Sequence, residues 1–275
     1  MGLDDFARAC GLGLLCLVPV GSASAAAIQL APHRAIYALS LDGSKAAKNV
    51  EAAQGEIVYE MRGNACNGYT VKLVQRTDLD TDGGGRMTSA LSTTTWEDGE
   101  ANTYRFKIQN KINAEVRDDA DGVAERRDGK LFVNATKPAK ESFSLGPDVV
   151  LPTQHVIKVL TQAEAGDPVL EVPVYDGSSD GKKVYDTLAI IGKAKTATDG
   201  LEDAAKATGL AGRTRFPVTI SYFERGTSAT TPDYVISFDL YDNGVSRALK
   251  LDYGDFVLRG QLTAFEALPE EPCAK

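Results

Sequence analysis

Most of this chain follows a two-residue rhythm, and that rhythm is what limits the folds open to it. Ala35, Tyr37, Leu39 and Leu41 share one side of an alternating run, as do Ile57, Tyr59 and Met61. Further on, Tyr104, Phe106 and Ile108 alternate with Arg105, Lys107 and Gln109. Successive strand residues point to opposite faces, so this pattern predicts half-buried strands. Short polar links separate the runs: the RGNACNG segment from Arg62 to Gly68, the stretch from Glu97 to Glu100, and the dipeptides Asp121-Gly122, Asp128-Gly129 and Asn243-Gly244. Asp-Gly and Asn-Gly accept the positive backbone dihedrals of hairpin turns. Neighbouring strands joined this closely pair antiparallel, so the chain reads as a mostly β meander.

The rhythm breaks between Leu151 and Gly166, where Val156, Leu160 and Ala163 recur at helical spacing. Thr153 is placed to cap the first turn, and Gly166 to end the last in a left-handed conformation. A single apolar stripe on this one principal helix predicts packing against the concave side or open edge of a sheet. After it come a short strand over 168–175, a polar loop over 176–183, and a run from Val184 to Ile191 with apolar residues on both faces. The last predicts a strand covered on both sides, in an overlapping curl or beneath the helix. Residues 196–212 read as a mobile loop, and four strands over 215–225, 234–242, 245–253 and 255–267 finish the chain. The helix thus stands between two β-rich halves.

Residues 10–20 form a short apolar run followed by small residues to Ala27, the pattern of a secretory signal peptide over 1–26. The run is too short to span a bilayer comfortably. Residues 27–275 are therefore expected as a single soluble, exported domain with no integral membrane segment after cleavage. Of the four cysteines, Cys10 and Cys16 leave with the signal peptide. Cys66 and Cys273 remain, and an oxidising compartment favours a disulfide between them over two free thiols. Such a bond would tie an early hairpin to the C-terminal tail. A formal charge of -8 without long basic runs argues against a nucleic-acid partner, whose phosphates demand Lys and Arg.

No constellation predicts catalysis, a metal or a cofactor. Asp78, Asp80, Asp82 and Gly83 open like a calcium loop, but the twelfth position is Ser89, not the Glu that completes coordination. His33 and His155 are the only histidines, too few for a multi-His zinc set; a surface or capping role is the default for His155. Asp176, Asp180 and Asp186 read as solvated turn residues, since nothing in their spacing sets two carboxylates across a cleft. The stripes Tyr104/Phe106 and Phe216/Tyr222, with Val156 and Leu160 on the helix, are candidate cavity-lining residues if the sheet curls too widely for side chains to fill it.

The early cysteine in MRGNACNGYTV, the TWEDGEANTYRF segment, the PTQHVIKVLTQAEAGDPVLEVPVYDGSSDGKKVYD segment and the terminal cysteine together resemble the EipB family of cell-envelope integrity proteins of alphaproteobacteria. The resemblance covers essentially the whole mature chain. It implies a periplasmic protein folded as a long antiparallel β-spiral, an overlapped and incompletely closed barrel related in shape to the lipoprotein carriers of the Lol pathway. It also implies that Cys66 and Cys273 form the family's disulfide. The expected role is non-enzymatic: binding a lipid, lipopeptide or amphipathic peptide in the curled sheet, or, alternatively, recruiting an envelope protein partner through an edge strand or the 176–183 loop.

Overall fold

The computed structural model describes residues 28–45 and 47–273; the expected signal peptide lies outside the described residues. Eight strands precede the principal helix: β1 (His33–Leu41), β2 (Ala52–Asn64), β3 (Gly68–Thr81), β4 (Gly85–Glu97), β5 (Thr103–Ile112), β6 (Glu115–Arg127), β7 (Lys130–Lys137) and β8 (Glu141–Leu145). After α1 (Pro152–Ala165) come β9 (Val169–Val174), β10 (Tyr185–Ile191), the short α2 (Asp203–Ala207), β11 (Arg215–Glu224), β12 (Tyr234–Tyr241), β13 (Ser246–Asp252) and β14 (Val257–Ala267). All fourteen strands form one antiparallel sheet in the order β8-β7-β6-β5-β4-β3-β2-β1-β14-β13-β12-β11-β10-β9. Two meanders, one on each side of α1 in sequence, are thus joined along β1 and β14.

That seam is a backbone ladder running from His33 opposite Ala267 to Leu41 opposite Leu258. At the other end the link between β8 and α1, rather than β8 itself, meets the free edge of β9. Val150 bridges Val174 in parallel, with Val150 N–H donating to Pro173 O at 2.8 Å and Tyr175 N–H to Val150 O at 3.0 Å. Just beyond β9, the buried Tyr175 ring sits 5.8 Å from Phe106 and 6.4 Å from Tyr104 on β5. The second meander therefore overlaps the first through side chains, and the sheet coils upon itself as a mostly β, barrel-like layer.

Register explains why the overlap fits. Tyr104, Phe106 and Ile108 on β5 stand opposite Ala124, Gly122 and Ala120 on β6. A Cβ on Gly122 would meet the Phe106 ring at 2.7 Å, and one on Gly177, whose φ is +74°, would meet it at 2.6 Å. Phe106 is thus held between two glycines. Asp121-Gly122 is consequently not a turn but lies inside β6, at a register irregularity. Asp128-Gly129 is a two-residue turn with both φ positive. Asp98-Gly99 belongs to a longer loop, closed by Asp98 N–H to Thr103 O at 3.0 Å.

Three further expectations are corrected. Helix α1 has Leu151 at its N-cap, Pro152 in its first turn and no cap from Thr153; a side chain from β4 supplies the cap instead. Gly166 does end the helix, with φ of 80°. In β10 only one face is buried: Tyr185, Thr187, Ala189 and Ile191 point inward, while Ile190 is 47% exposed. Residues 196–212 are anchored, because Leu201, Ala205 and Leu210 are buried with Tyr37, Leu39, Leu258 and Leu262. Arg247 adds to that anchor by donating to Glu202 at 2.5 Å, to Gly200 O at 2.8 Å and to Asp239 at 2.7 Å.

Cys66 and Cys273 are bonded, with Cα atoms 5.4 Å apart and a sequence separation of 207. Hydrogen bonds hold the tail to the β2–β3 turn beside the bond: Asn64 Nδ2 donates to Glu271 O at 2.6 Å and Asn67 Nδ2 to Pro272 O at 2.9 Å. The tail crosses from the end of β14 over β1 to β2, stapling the ladder seam.

Candidate functional site

Helix α1 fills one part of the coiled sheet. Its Val159, Leu160 and Ala163 pack into a cluster with Met61, Tyr69, Phe216 and Ile220. Beside it the side chains on the inner faces of β2–β5 and β11–β13 do not fill the interior, and a cavity of about 620 Å³ remains. Its walls carry Ile57, Leu73, Ile108, Ile236, Phe238 and Leu251. The helix contributes His155, Val156 and Val159.

Glu97 positions the helix. This buried carboxylate at the end of β4 accepts the Thr153 N–H at 2.7 Å and the Gln154 N–H at 2.8 Å. Those are two of the orphan donors of a helix N-terminus, where a negative charge is also favoured by the helix dipole. Desolvation outweighs these bonds and pushes the Glu97 carboxyl up to about 7. One turn on, burial lowers His155 to about 4, so its ring is neutral near pH 7. Its Nε2 lies 3.4 Å from Thr187 Oγ1, which donates to Val172 O at 2.7 Å. His155 is therefore an interior residue joining α1 to β9 and β10, not a surface one.

Several polar groups line the cavity. Asn110 Nδ2 donates to Asp118 at 3.0 Å, Gln75 Nε2 to Tyr253 Oη at 3.4 Å, and Tyr104 Oη to Asp176 O at 2.8 Å. Tyr253 is 40% exposed, so it stands where the cavity meets solvent. Tyr222 and Tyr234 stack at 4.4 Å, and Tyr185 meets them edge-on at 5.9 and 5.7 Å. Burial raises the pKa of all three hydroxyls above the ordinary tyrosine value, which leaves them neutral donors. Asp176 is not a solvated turn residue. It lies deep in the molecule, is partly open only because it faces the cavity, and has its carboxyl raised by desolvation. Asp180 accepts the Lys182 N–H at 3.0 Å, and Asp186 pairs with Arg225 at 2.8 Å.

Of the six residues singled out from sequence, Tyr104, Val156 and Tyr222 face the cavity. Phe106, Leu160 and Phe216 are buried in packed clusters instead. Sequence reasoning missed Asp176, Tyr185, Tyr234 and Glu97. Tyr185 and Tyr234 do sit at inward positions of alternating runs, a usable signal; Asp176 and Glu97 lie in polar links and carry none. Asp78 pairs with Arg86 at 2.9 Å across β3 and β4. Among the described residues no group of three or more His, Cys, Asp or Glu is arranged to hold a metal, and no helix is long and apolar enough to cross a membrane. A smaller, more open recess of about 370 Å³ lies over β9 and β10, but its Asp186 is already paired.

Residues 24–269 match the family model described as EipB-like. The cell envelope integrity protein EipB of Brucella abortus is 35% identical over 249 residues, covering 90% of this chain and 88% of that protein. A solved Brucella abortus structure, a β-barrel-like protein of a domain of unknown function, superposes with a TM-score of 0.80 at 34% identity, over 88% of this chain and 100% of that one.

Proposed function

The chain belongs to the EipB-like family, and from that premise we propose that it is a non-enzymatic periplasmic protein of envelope integrity that binds an amphiphile in its cavity. The occupant is a lipid, a lipopeptide or an amphipathic peptide with a single apolar segment. The observation carrying this reading is the apolar void of about 620 Å³ beside α1, within the roughly 300–1,000 Å³ usual for small-molecule sites. Interiors are close-packed, and empty apolar space costs roughly 24 cal/mol per Å³. The cavity is open to solvent at Tyr253, and its aliphatic walls suit an alkyl chain better than water.

The alternative, recruitment of a protein partner through the 176–183 loop, has less support. Gly177 and Gly181 of that loop are buried, and Asp176, Ser178 and Ser179 turn toward the cavity. Native mass spectrometry of the exported chain, gently purified and then offered a lipidated peptide, tests the proposal. The expected result is a mass increment of one amphiphile per chain, lost in Thr93→Trp, whose ring would occupy the cavity. A chain that carries nothing, takes up nothing and behaves like Thr93→Trp contradicts it.

A further inference from the structure

The cavity lining has a sign. Its ionisable residues are Asp118, Asp176 and Asp252 together with His33 and His155, and no Lys or Arg contributes to it. Burial lowers the pKa of both imidazoles, so neither supplies positive charge near neutral pH. Asp252 is taken by Lys45 at 3.0 Å, and Asp118 by the Asn110 amide at 3.0 Å. Asp176 receives the Ser178 N–H at 2.9 Å, and no Lys or Arg among the described residues lies within ion-pairing distance of it. An anionic head would enter this space against a uniform field. A cationic head would meet two carboxylates with no cationic partner, Asp118 and Asp176, and of these Asp176 is the one beside the tyrosine rings.

Around that carboxylate stand aromatic rings. Tyr104 donates its hydroxyl to the backbone of Asp176 itself. Tyr185 on β10 stands opposite Val174, two residues before Asp176, and Asp176 lines the same cavity as Tyr185, Tyr222 and Tyr234, where its charge also acts on the three hydroxyls. Ring faces attract diffuse cations, and quaternary ammonium groups are the ligands that aromatic clusters of this kind recognise. The cluster already draws one cation from outside the lining: Lys183 Nζ lies 6.0 Å from the Tyr185 ring and is held by Glu224 at 2.7 Å. A primary ammonium needs several acceptors, for which the Ser178 and Ser179 hydroxyls beside Asp176 would have to turn. A trimethylammonium needs none.

We propose that Asp176 and the Tyr185, Tyr222 and Tyr234 rings form a subsite for the quaternary ammonium head of a single-chain amphiphile whose tail lies along the apolar wall toward α1. This rests on the reading of the cavity as an amphiphile site, and it names the head group that reading leaves open. An incoming cation relieves the cost of the buried charge, while the uncharged walls accept the tail whatever its head.

Titration calorimetry of the full mature chain with four dodecyl probes, each below its micelle concentration, separates the two ideas. The probes are dodecyltrimethylammonium, dodecylammonium, dodecyl sulfate and dodecyl maltoside. Dodecyltrimethylammonium is expected to bind about tenfold tighter than the sulfate and several-fold tighter than the primary ammonium. Asp176→Asn, which keeps an acceptor for the Ser178 N–H, should remove about tenfold of that affinity and leave maltoside binding unchanged. Tyr234→Leu should weaken the quaternary probe by about fivefold. If maltoside binds while the quaternary probe gains nothing, or its advantage survives both substitutions, the head-group subsite is overturned and the cavity reading stands. If the primary ammonium binds tightest, the aromatic recognition is overturned. If none of the four binds, both readings fall.

Discussion

The coiled sheet has two seams, and they are closed by different physics. Along β1 and β14 a continuous ladder joins the two meanders, and the Cys66–Cys273 bond staples it across β1. Between the ends β8 and β9 the short Val150–Val174 bridge, the aromatic contacts of Tyr175, the Tyr104–Asp176 hydrogen bond, the Lys182–Glu141 and Arg225–Asp148 ion pairs and the seat of α1 hold the layers together. Ladder hydrogen bonds and a covalent link resist opening as a unit, whereas side-chain contacts can separate locally at a fraction of the global cost. The lesson is that the fold keeps its permanence on one side of the cavity and its freedom on the other.

The largest expected effect comes from breaking the soft seam. Tyr175→Ala removes a buried ring packed on Tyr104 and Phe106, together with its 2.7 Å bond to Gly181 O. It should cost about 4 kcal/mol in denaturant titrations and raise hydrogen exchange in β8 and β9 before β1 and β14. Replacing Cys66 and Cys273 together by Ala attacks the other seam. The loop-entropy estimate for so long a loop is about 5 kcal/mol, and measured losses run near 3. Exchange in β8 and β9 should stay as it was; if it rises as much as in Tyr175→Ala, the two seams are not distinct.

A smaller effect follows from the helix that seats the soft seam. Glu97→Ala strips the acceptor from the Thr153 and Gln154 N–H groups and should cost about 2 kcal/mol. Its pH signature also has a sign. Glu97 holds its proton up to about pH 7 when folded, against about 4.3 when unfolded, so its folded-state penalty grows as pH rises through that window. His155 runs the other way. With a folded value of about 4 and an unfolded one of about 6.5, its contribution is fully present above pH 6.5 and is lost as pH falls toward 4. His155→Gln should therefore gain on the native chain by on the order of 2 kcal/mol between pH 7 and pH 4, read as a narrowing gap in melting temperature. A gap that does not change with pH would place His155 outside the buried network.

How much of this was legible in the sequence depended on whether a residue's fate was local. The strands of the second meander and β1–β5 declare themselves because Ile57, Tyr59, Phe216 and Ile236 alternate with polar neighbours. Helix α1 declares itself through Val156, Leu160 and Ala163 and its terminal glycine. β6 does not, since its inward positions are Ala120, Gly122 and Ala124, kept small by rings on β5 that no reading of β6 alone can see. Asp176 and Glu97 were misread for the same reason in reverse. Polar residues in polar links look solvated until the second meander folds back over the first. The candidate lining split evenly, because alternation tells which face is inward but not whether a helix or a void lies opposite.

Hydrogen exchange of the oxidised chain, with and without dodecyl maltoside, tests the central claim most directly. The account predicts added protection in α1, the 175–185 segment and the inward strands β10–β12, with the β1–β14 ladder unchanged because it is already closed. No change on adding the amphiphile, or protection confined to the exposed outer face, would contradict it.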